Sequence, residues 1–465
     1  MFPVKTFLIA VLVLFNLCLV HPVLAAKFAV DQIISDHMIL QRDRPVKLVG
    51  SSTPGAAVQA TLGETTVATV TGANGRWEIA LPPRPLGAPF SISVQSLGQK
   101  VQAHDVLAGD VFLCAGQTSM QLPVSESSDC KNLEIAMPEQ TRFYSVDEPG
   151  RWISVSSEEL SKKSALAVAF VSVLRKLMKN VPVGVVQCTV GNANLHSWIA
   201  SKDLPEKSGK KNTTEPGAVF DKYLFPMSGL PFKAVIWYQG ENDLPSFNSY
   251  PLQFALLTKS WRKRFSADMP FFVVQLPRWG GKNIVGDNSP LAYFREAQQK
   301  ACLAPHCYLV PTINAPANAD WANLRNPDKF LIGHNCAQIV AGRVYRSANA
   351  LIPRFASAER VGPQLKVTFS IADSGLELKD KKTRAFAIAG EDGEFKTAKV
   401  MLENNVVFLT SAAVHLPVYC RYGWADNMPP ALFSKNGMPV APFRTDTIPL
   451  TGDLGAKVLP LFVQH

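Results

Sequence analysis

Two neighbouring hydroxyls at the end of an apolar run are where chemistry first suggests itself. The stretch Gly109-Asp-Val-Phe-Leu-Cys-Ala-Gly-Gln-Thr-Ser-Met-Gln121 opens with Val111 to Cys114, the length of a buried strand, and then breaks into small and polar residues. A buried strand that delivers its last residue into a tight glycine turn is how an open α/β sheet presents a nucleophile at its carboxyl edge. Thr118 and Ser119 are the hydroxyls so presented. A threonine hydroxyl attacks a carbonyl when a base stands close, although its extra methyl restricts χ1 and crowds the approach.

The elements needed to position such a group follow in order. Residues 183–188, 234–238 and 271–276 read as further buried strands, and residues 166–180, 293–300 and 331–345 as helices. Residues 166–180 end on basic side chains, as a helix carboxyl end should. Strands alternating with helices predict a sheet covered on both faces. Before this region, residues 28–105 hold short alternating runs (46–49, 58–62, 91–95) between Pro54-Gly55, Asn74-Gly75 and Pro82-Pro83, which predicts a small β-sandwich. After about residue 353 the chain returns to short strands and turns. The expected division is 1–25, a signal peptide; 26–105, an N-terminal β domain; 106–350, an α/β domain; and 351–465, a C-terminal β-rich region.

The leader rests on Lys5, an apolar run over 7–20 and the small residue Ala25 at a cleavage-like Val23-Leu24-Ala25. The run falls short of the ~20 residues that span a bilayer, so export without a membrane span is expected. The chain of 465 residues carries a formal net charge of +10. A basic balance could favour acidic glycans or nucleic acid, but the basic residues are scattered and form no aromatic-interleaved stripe, which reads as solubility and argues against nucleic acid as a partner. Of eight cysteines, seven follow residue 25, an odd number in an exported chain. Cys302 and Cys307 are close enough in sequence for a local bridge, whereas Cys114 and Cys188 read as buried thiols. No Cys/His spacing suggests zinc, and no cofactor is expected. Asn212-Thr-Thr214 spells a glycosylation sequon in a polar loop.

Residues 109–121 resemble the first sequence block of the sialate O-acetylesterases, members of the SGNH (GDSL-like) hydrolases, whose pattern runs G-D-V-W-L-C-S-G-Q-S-N-M. The resemblance extends over about residues 28–448, including Asp36-His-Met-Ile-Leu-Gln41, Gly75-Arg-Trp-Glu78, Tyr422-Gly-Trp-Ala-Asp-Asn427 and Pro442-Phe-Arg-Thr-Asp446. It implies a three-layer α/β/α core with β-sandwich-like regions before and after it, and makes His37 and Trp77 packing residues. It also implies removal of acetyl groups from sialic acids or other acetylated sugars, so that the expected partner is an O-acetylated or acidic glycan.

Ester cleavage in that fold needs a hydroxyl nucleophile, a His base, an acid that orients the His, and oxyanion donors. By resemblance Thr118 takes the nucleophilic serine's place and Ser119 that of the following asparagine. Cys188-Thr-Val-Gly-Asn-Ala-Asn-Leu-His-Ser-Trp198 matches the family's second block, with Gly191 on the oxyanion glycine, Asn192 on a second glycine, and His196 on a glutamate. Trp237-Tyr-Gln-Gly-Glu-Asn-Asp243 matches the third, retaining Gln239 and Glu241, and Asn242 falls in a G-x-N-D pattern whose asparagine is an oxyanion donor. Gln117 and Asn242 are the expected ligand contacts; Glu241 reads either as a site residue or as a buried carboxylate tying loops together. In the last block, Leu324-Arg-Asn-Pro-Asp-Lys329, Arg325 stands at the His position, with Asp320 the nearest orienting acid. A guanidinium stays protonated and cannot accept a proton. The leading expectation is therefore a glycan-binding relative of weak or no esterase activity. The alternative is an active esterase using Thr118 with His196 as a relocated base.

Overall fold

The computed structural model describes residues 27–450 apart from 131–139, 155–156, 179, 206–214, 281–288, 318–327, 348–351 and 371–374. One strand organises it. Gln99–Gly116 runs for 18 residues, far beyond the four that its apolar run alone marks. Its first part is a half-exposed partner of Phe90–Ser96 in an antiparallel N-terminal sheet. Its second part, buried throughout, is the centre of a parallel sheet. The boundary expected at residue 105 thus falls within a continuous strand, so the β domain and the core share an element.

Strand order in the core is Trp152–Ser154, Thr141–Ser145, Val183–Thr189, Gln99–Gly116, Ala234–Tyr238, Phe271–Val274 and Cys307–Val310. All neighbours are parallel except the edge strand Trp152–Ser154. The chain leaves the central strand toward one edge and later returns to build toward the other. The strand order therefore reverses at Gly116, where a doubly wound sheet opens its crevice.

Helices cover both faces. Phe112 meets Phe170 of the Ala165–Leu177 helix edge-on at 5.1 Å, fixing the face of even-numbered residues on the central strand. Trp237 is in register with Ala115, an odd position, and packs instead on Phe254 and Trp261 of the Tyr250–Arg262 helix. Successive side chains point to opposite faces of a strand, so the two helices lie on opposite sides. Phe330–Tyr345 joins the first layer and Pro290–Ala301 the second.

The second layer is anchored by Trp198, Trp237 and Trp261, fully buried with ring centroids 5.2–6.3 Å apart. Trp261 Nε1 donates to the Trp198 carbonyl at 2.7 Å. Trp198 also follows directly on the loop that carries Gly191 to His196. Replacing a buried tryptophan with alanine costs about 3–5 kcal/mol. A Trp198→Ala variant should lower the urea midpoint accordingly while retaining a cooperative transition.

After the core, Arg354–Val361, Gln364–Ser370, Val406–Thr410 and Lys399–Glu403 form one antiparallel sheet, and Phe386–Ala389 with Tyr419–Tyr422 belongs to another. The latter is tied down by the buried pair of Arg421 and Asp446, at 2.8 Å. Trp77 is packed as expected, at 3 % exposure. His37 is not: its ring is exposed and bonds Asp105 at 2.7 Å, because a left-handed φ of 66° turns it outward. Cys302 and Cys307 are unbridged, and the seven described cysteines are buried thiols. Among the described residues no helix is long and apolar enough to cross a membrane. The leader and the Asn212 sequon lie outside the described residues.

Candidate active site

Three strand ends meet at the crevice. Gly116 is in register with Thr189 on one side and Tyr238 on the other, so the next residues of each strand form one rim. These are Gln117 to Gln121, Val190 to Asn192, and Gln239 to Asp243. Two glycines permit the convergence. A Cβ on Gly116 would collide with the Tyr238 carbonyl, and one on Gly240 with the Phe294 ring. Both residues also have positive φ, which glycine alone adopts freely.

Thr118 begins the four-residue helix Thr118–Gln121 and is half-buried. Gly191 faces it so closely that a Cβ there would sit 3.5 Å from Thr118 Oγ1. Gly191 and Asn192 are exposed and form the cleft lip. Asn192 takes φ of 57°, a left-handed conformation that asparagine tolerates better than most residues.

The floor is a hydrogen-bond lattice. Gln117 is buried; its Nε2 donates to Asn242 Oδ1 at 3.3 Å and its Oε1 accepts from Gly240 N at 3.4 Å. Asn242 Nδ2 donates to the Asn192 carbonyl at 2.7 Å, closing the rim from the third strand back to the second. Gln239 donates to Asp243 Oδ2, which also accepts from Leu195 N at 2.9 Å. Gln117 and Gln239 therefore serve as struts, and Asn242 is the half-buried amide at the surface of the lattice.

Glu241 is buried and accepts from Ser119 Oγ, tying the Thr118 turn to the third-strand turn. Ser119 is itself only 1 % exposed, which turns its hydroxyl away from any substrate. Burial raises the Glu241 carboxyl above its usual range and pushes Asp243 up to about 6. Behind them lies Lys329, fully buried, its Nζ without a hydrogen-bond partner and 5.0 Å from the Tyr238 ring centroid. Burial brings its ammonium down to about 8. Asp129 accepts from the backbone N–H groups of Lys329 and Phe330 at 2.9 and 2.8 Å, fixing the start of the Phe330–Tyr345 helix.

His196 sits half-buried on the loop below the rim, and burial lowers its pKa, favouring neutral imidazole. Among the described residues no hydrogen bond joins its ring to Thr118. Arg325 and Asp320 lie outside the described residues. Sequence reasoning gave no role to Asp243, Asp129 or Lys329. Asp243 could have been found from its place four residues after Gln239; nothing marks a single Lys or Asp as buried.

A parallel sheet reversing at a glycine turn, with a hydroxyl and amides at the rim, defines an SGNH-like α/β hydrolase architecture extended by β regions. Residues 108–341 match the family model described as carbohydrate esterase, sialic acid-specific acetylesterase. The chain belongs to that family. It is 26% identical to human sialate O-acetylesterase over 310 residues, 55% of this chain and 58% of the human protein. It is 23% identical to the mouse protein over 497 aligned residues, covering 84% of this chain and 88% of that one. A carbohydrate acetylesterase from Xanthomonas citri superposes with a TM-score of 0.81 at 28% identity, over 90% of this chain and all of that one.

Proposed function

We propose that this chain is an exported family member that binds an O-acetylated or acidic glycan at the Thr118 crevice and hydrolyses it weakly or not at all. Thr118 stands at the nucleophile position and Arg325 at the base position, while Asp320 is a displaced orienting acid. Gly191, Asn192 and Asn242 line the cleft as oxyanion or ligand contacts, with Gln117, Gln239 and Glu241 holding them. The observation that carries the reading is the hydroxyl of Thr118: it faces the open Gly191 lip yet has no imidazole hydrogen-bonded to it among the described residues. Without a proton acceptor, a threonine hydroxyl is a poor nucleophile. Loss of base or nucleophile in a related triad leaves ~10³–10⁴-fold over water, from oxyanion donors and binding alone. The test is hydrolysis of p-nitrophenyl acetate and of O-acetylated sialic acid by purified protein beside Thr118→Ala. Equal, low rates are expected; robust turnover that disappears in Thr118→Ala would overturn the reading.

A second reading has its own support in the neutral imidazole of His196, which a general base requires. Here Thr118 attacks and His196 accepts its proton after a loop movement. His196→Ala would then abolish turnover as fully as Thr118→Ala; an unchanged rate would remove this reading.

A further inference from the structure

A cavity of about 750 Å³ lies apart from the Thr118 crevice and shares no lining residue with it. It opens between the N-terminal sheet (residues 29–32, 49–51 and 74–78), the segment after the Thr141–Ser145 strand, and residues 222–228. Its size is within the ~300–1,000 Å³ of small-molecule sites. Three features give its chemistry. Phe225 is exposed at its edge, with the Arg76 guanidinium 5.8 Å and the Lys202 ammonium 5.7 Å from its ring centroid. Neither cation, nor Lys222 in the wall, has a carboxylate partner among the described residues. Of the two carboxylates in the wall, Glu78 is paired with Lys47 at 2.7 Å and Asp31 Oδ1 accepts from Ile33 N at 2.8 Å.

A simple anion would use the cations and leave the aromatic edge idle. A neutral sugar would use the aromatic edge and leave the cations uncompensated. A carboxylated sugar matches both: carboxylate on Arg76 and Lys222, and an apolar C–H face on Phe225.

We infer that this cleft is a second glycan subsite that takes a carboxylated sugar. The inference deepens the glycan-binding reading above and rests on it for the class of ligand.

The test is calorimetric titration of the full chain with N-acetylneuraminic acid, with lactose as neutral sugar and acetate as simple anion. Arg76→Ala and Phe225→Ala, both at exposed side chains, should each weaken N-acetylneuraminic acid about tenfold without shifting the melting temperature. Asn242→Ala, in the crevice, should leave that Arg76-dependent binding in place. Acetate should not compete at equal concentration, and lactose should bind weakly and independently of Arg76. Unchanged affinity in Arg76→Ala and Phe225→Ala, or binding abolished by Asn242→Ala alone, would overturn the subsite; so would acetate competing as well as the sugar. If the Arg76-dependent binding holds while O-acetylated sialic acid ignores Asn242→Ala, the crevice reading fails and the subsite stands.

Discussion

The double variant Thr118→Ser/Arg325→His is expected to hydrolyse an aryl acetate on the order of 10³-fold faster than the parent, with each single change leaving the rate near background. The reason is the non-additivity of groups that act together. When nucleophile and base are one proton-transfer unit, removing either costs about as much as removing both. Restoring either alone should recover correspondingly little. Thr118→Ser removes a methyl that restricts χ1, but among the described residues no imidazole is hydrogen-bonded to that hydroxyl. Arg325→His supplies an imidazole, yet a crowded threonine remains its partner. The remaining parts are already assembled: Gly191 leaves the face of residue 118 open, and Asn242 is braced by Gln117 and Asn192. The orienting acid limits the gain, since a triad deprived of its aspartate loses about 10⁴ in turnover. Adding Gly or Ala at Asp320 then separates the cases: a further fall means that Asp320 orients the new imidazole. If the double variant stays at the parent rate while binding ligand normally, residue 325 does not reach the crevice and the substitution there carries no part of the proposed loss of activity.

The core was readable because its strands are continuous apolar runs. Residues 234–238 were bounded correctly, since a parallel strand buried on both faces leaves no alternation to misread. The edge strand Trp152–Ser154 and the half-exposed start of Gln99–Gly116 carry mixed patterns, so the core's link to the N-terminal sheet was not visible. The Tyr250–Arg262 helix is not legible because polar Thr258 and Ser260 interrupt the buried stripe of Tyr250, Phe254, Leu257 and Trp261. At the crevice, the motif positions placed Thr118, Gly191, Asn192 and Asn242 together because each follows a strand end. What motifs cannot give is the direction of a side chain. Gln117 faces inward as a strut, and Ser119, adjacent to Thr118, is sealed against Glu241. The partners of a buried charge come from distant sequence, which is why Lys329 carried no signal.

Lys329 supplies the second large effect, on stability. Its ammonium faces Glu241, Asp129, Cys130 and Asp328, with the Tyr238 ring beside it. Had Lys329 and Glu241 formed a contact ion pair, deleting one partner would cost about 3–5 kcal/mol. Neither Lys329 Nζ nor Glu241 Oε2 has a hydrogen-bond partner among the described residues, so desolvation outweighs attraction. The folded-state pKa of about 8 lies below the unfolded value of ~10.4. Between those two values the unfolded chain binds the extra proton, so stability rises with pH across the window. Below pH 8 the buried ammonium costs stability in full, about 3 kcal/mol for a shift of this size. Lys329→Met keeps the length and apolar bulk of the stem, removes that cost and lets Glu241 hold its proton more readily. The variant should therefore be more stable than the parent at pH 7, by about 2 kcal/mol after losing roughly 1 kcal/mol of ammonium–ring attraction. The difference should shrink as pH passes 8 and be small by pH 10, where the folded-state amine is neutral and the unfolded one has begun to lose its proton. Urea unfolding of the two proteins at pH 7, 8, 9 and 10 measures it. A variant less stable at pH 7, by an amount that does not change with pH, would mean that the ammonium is well paired and that Glu241 is its counter-ion.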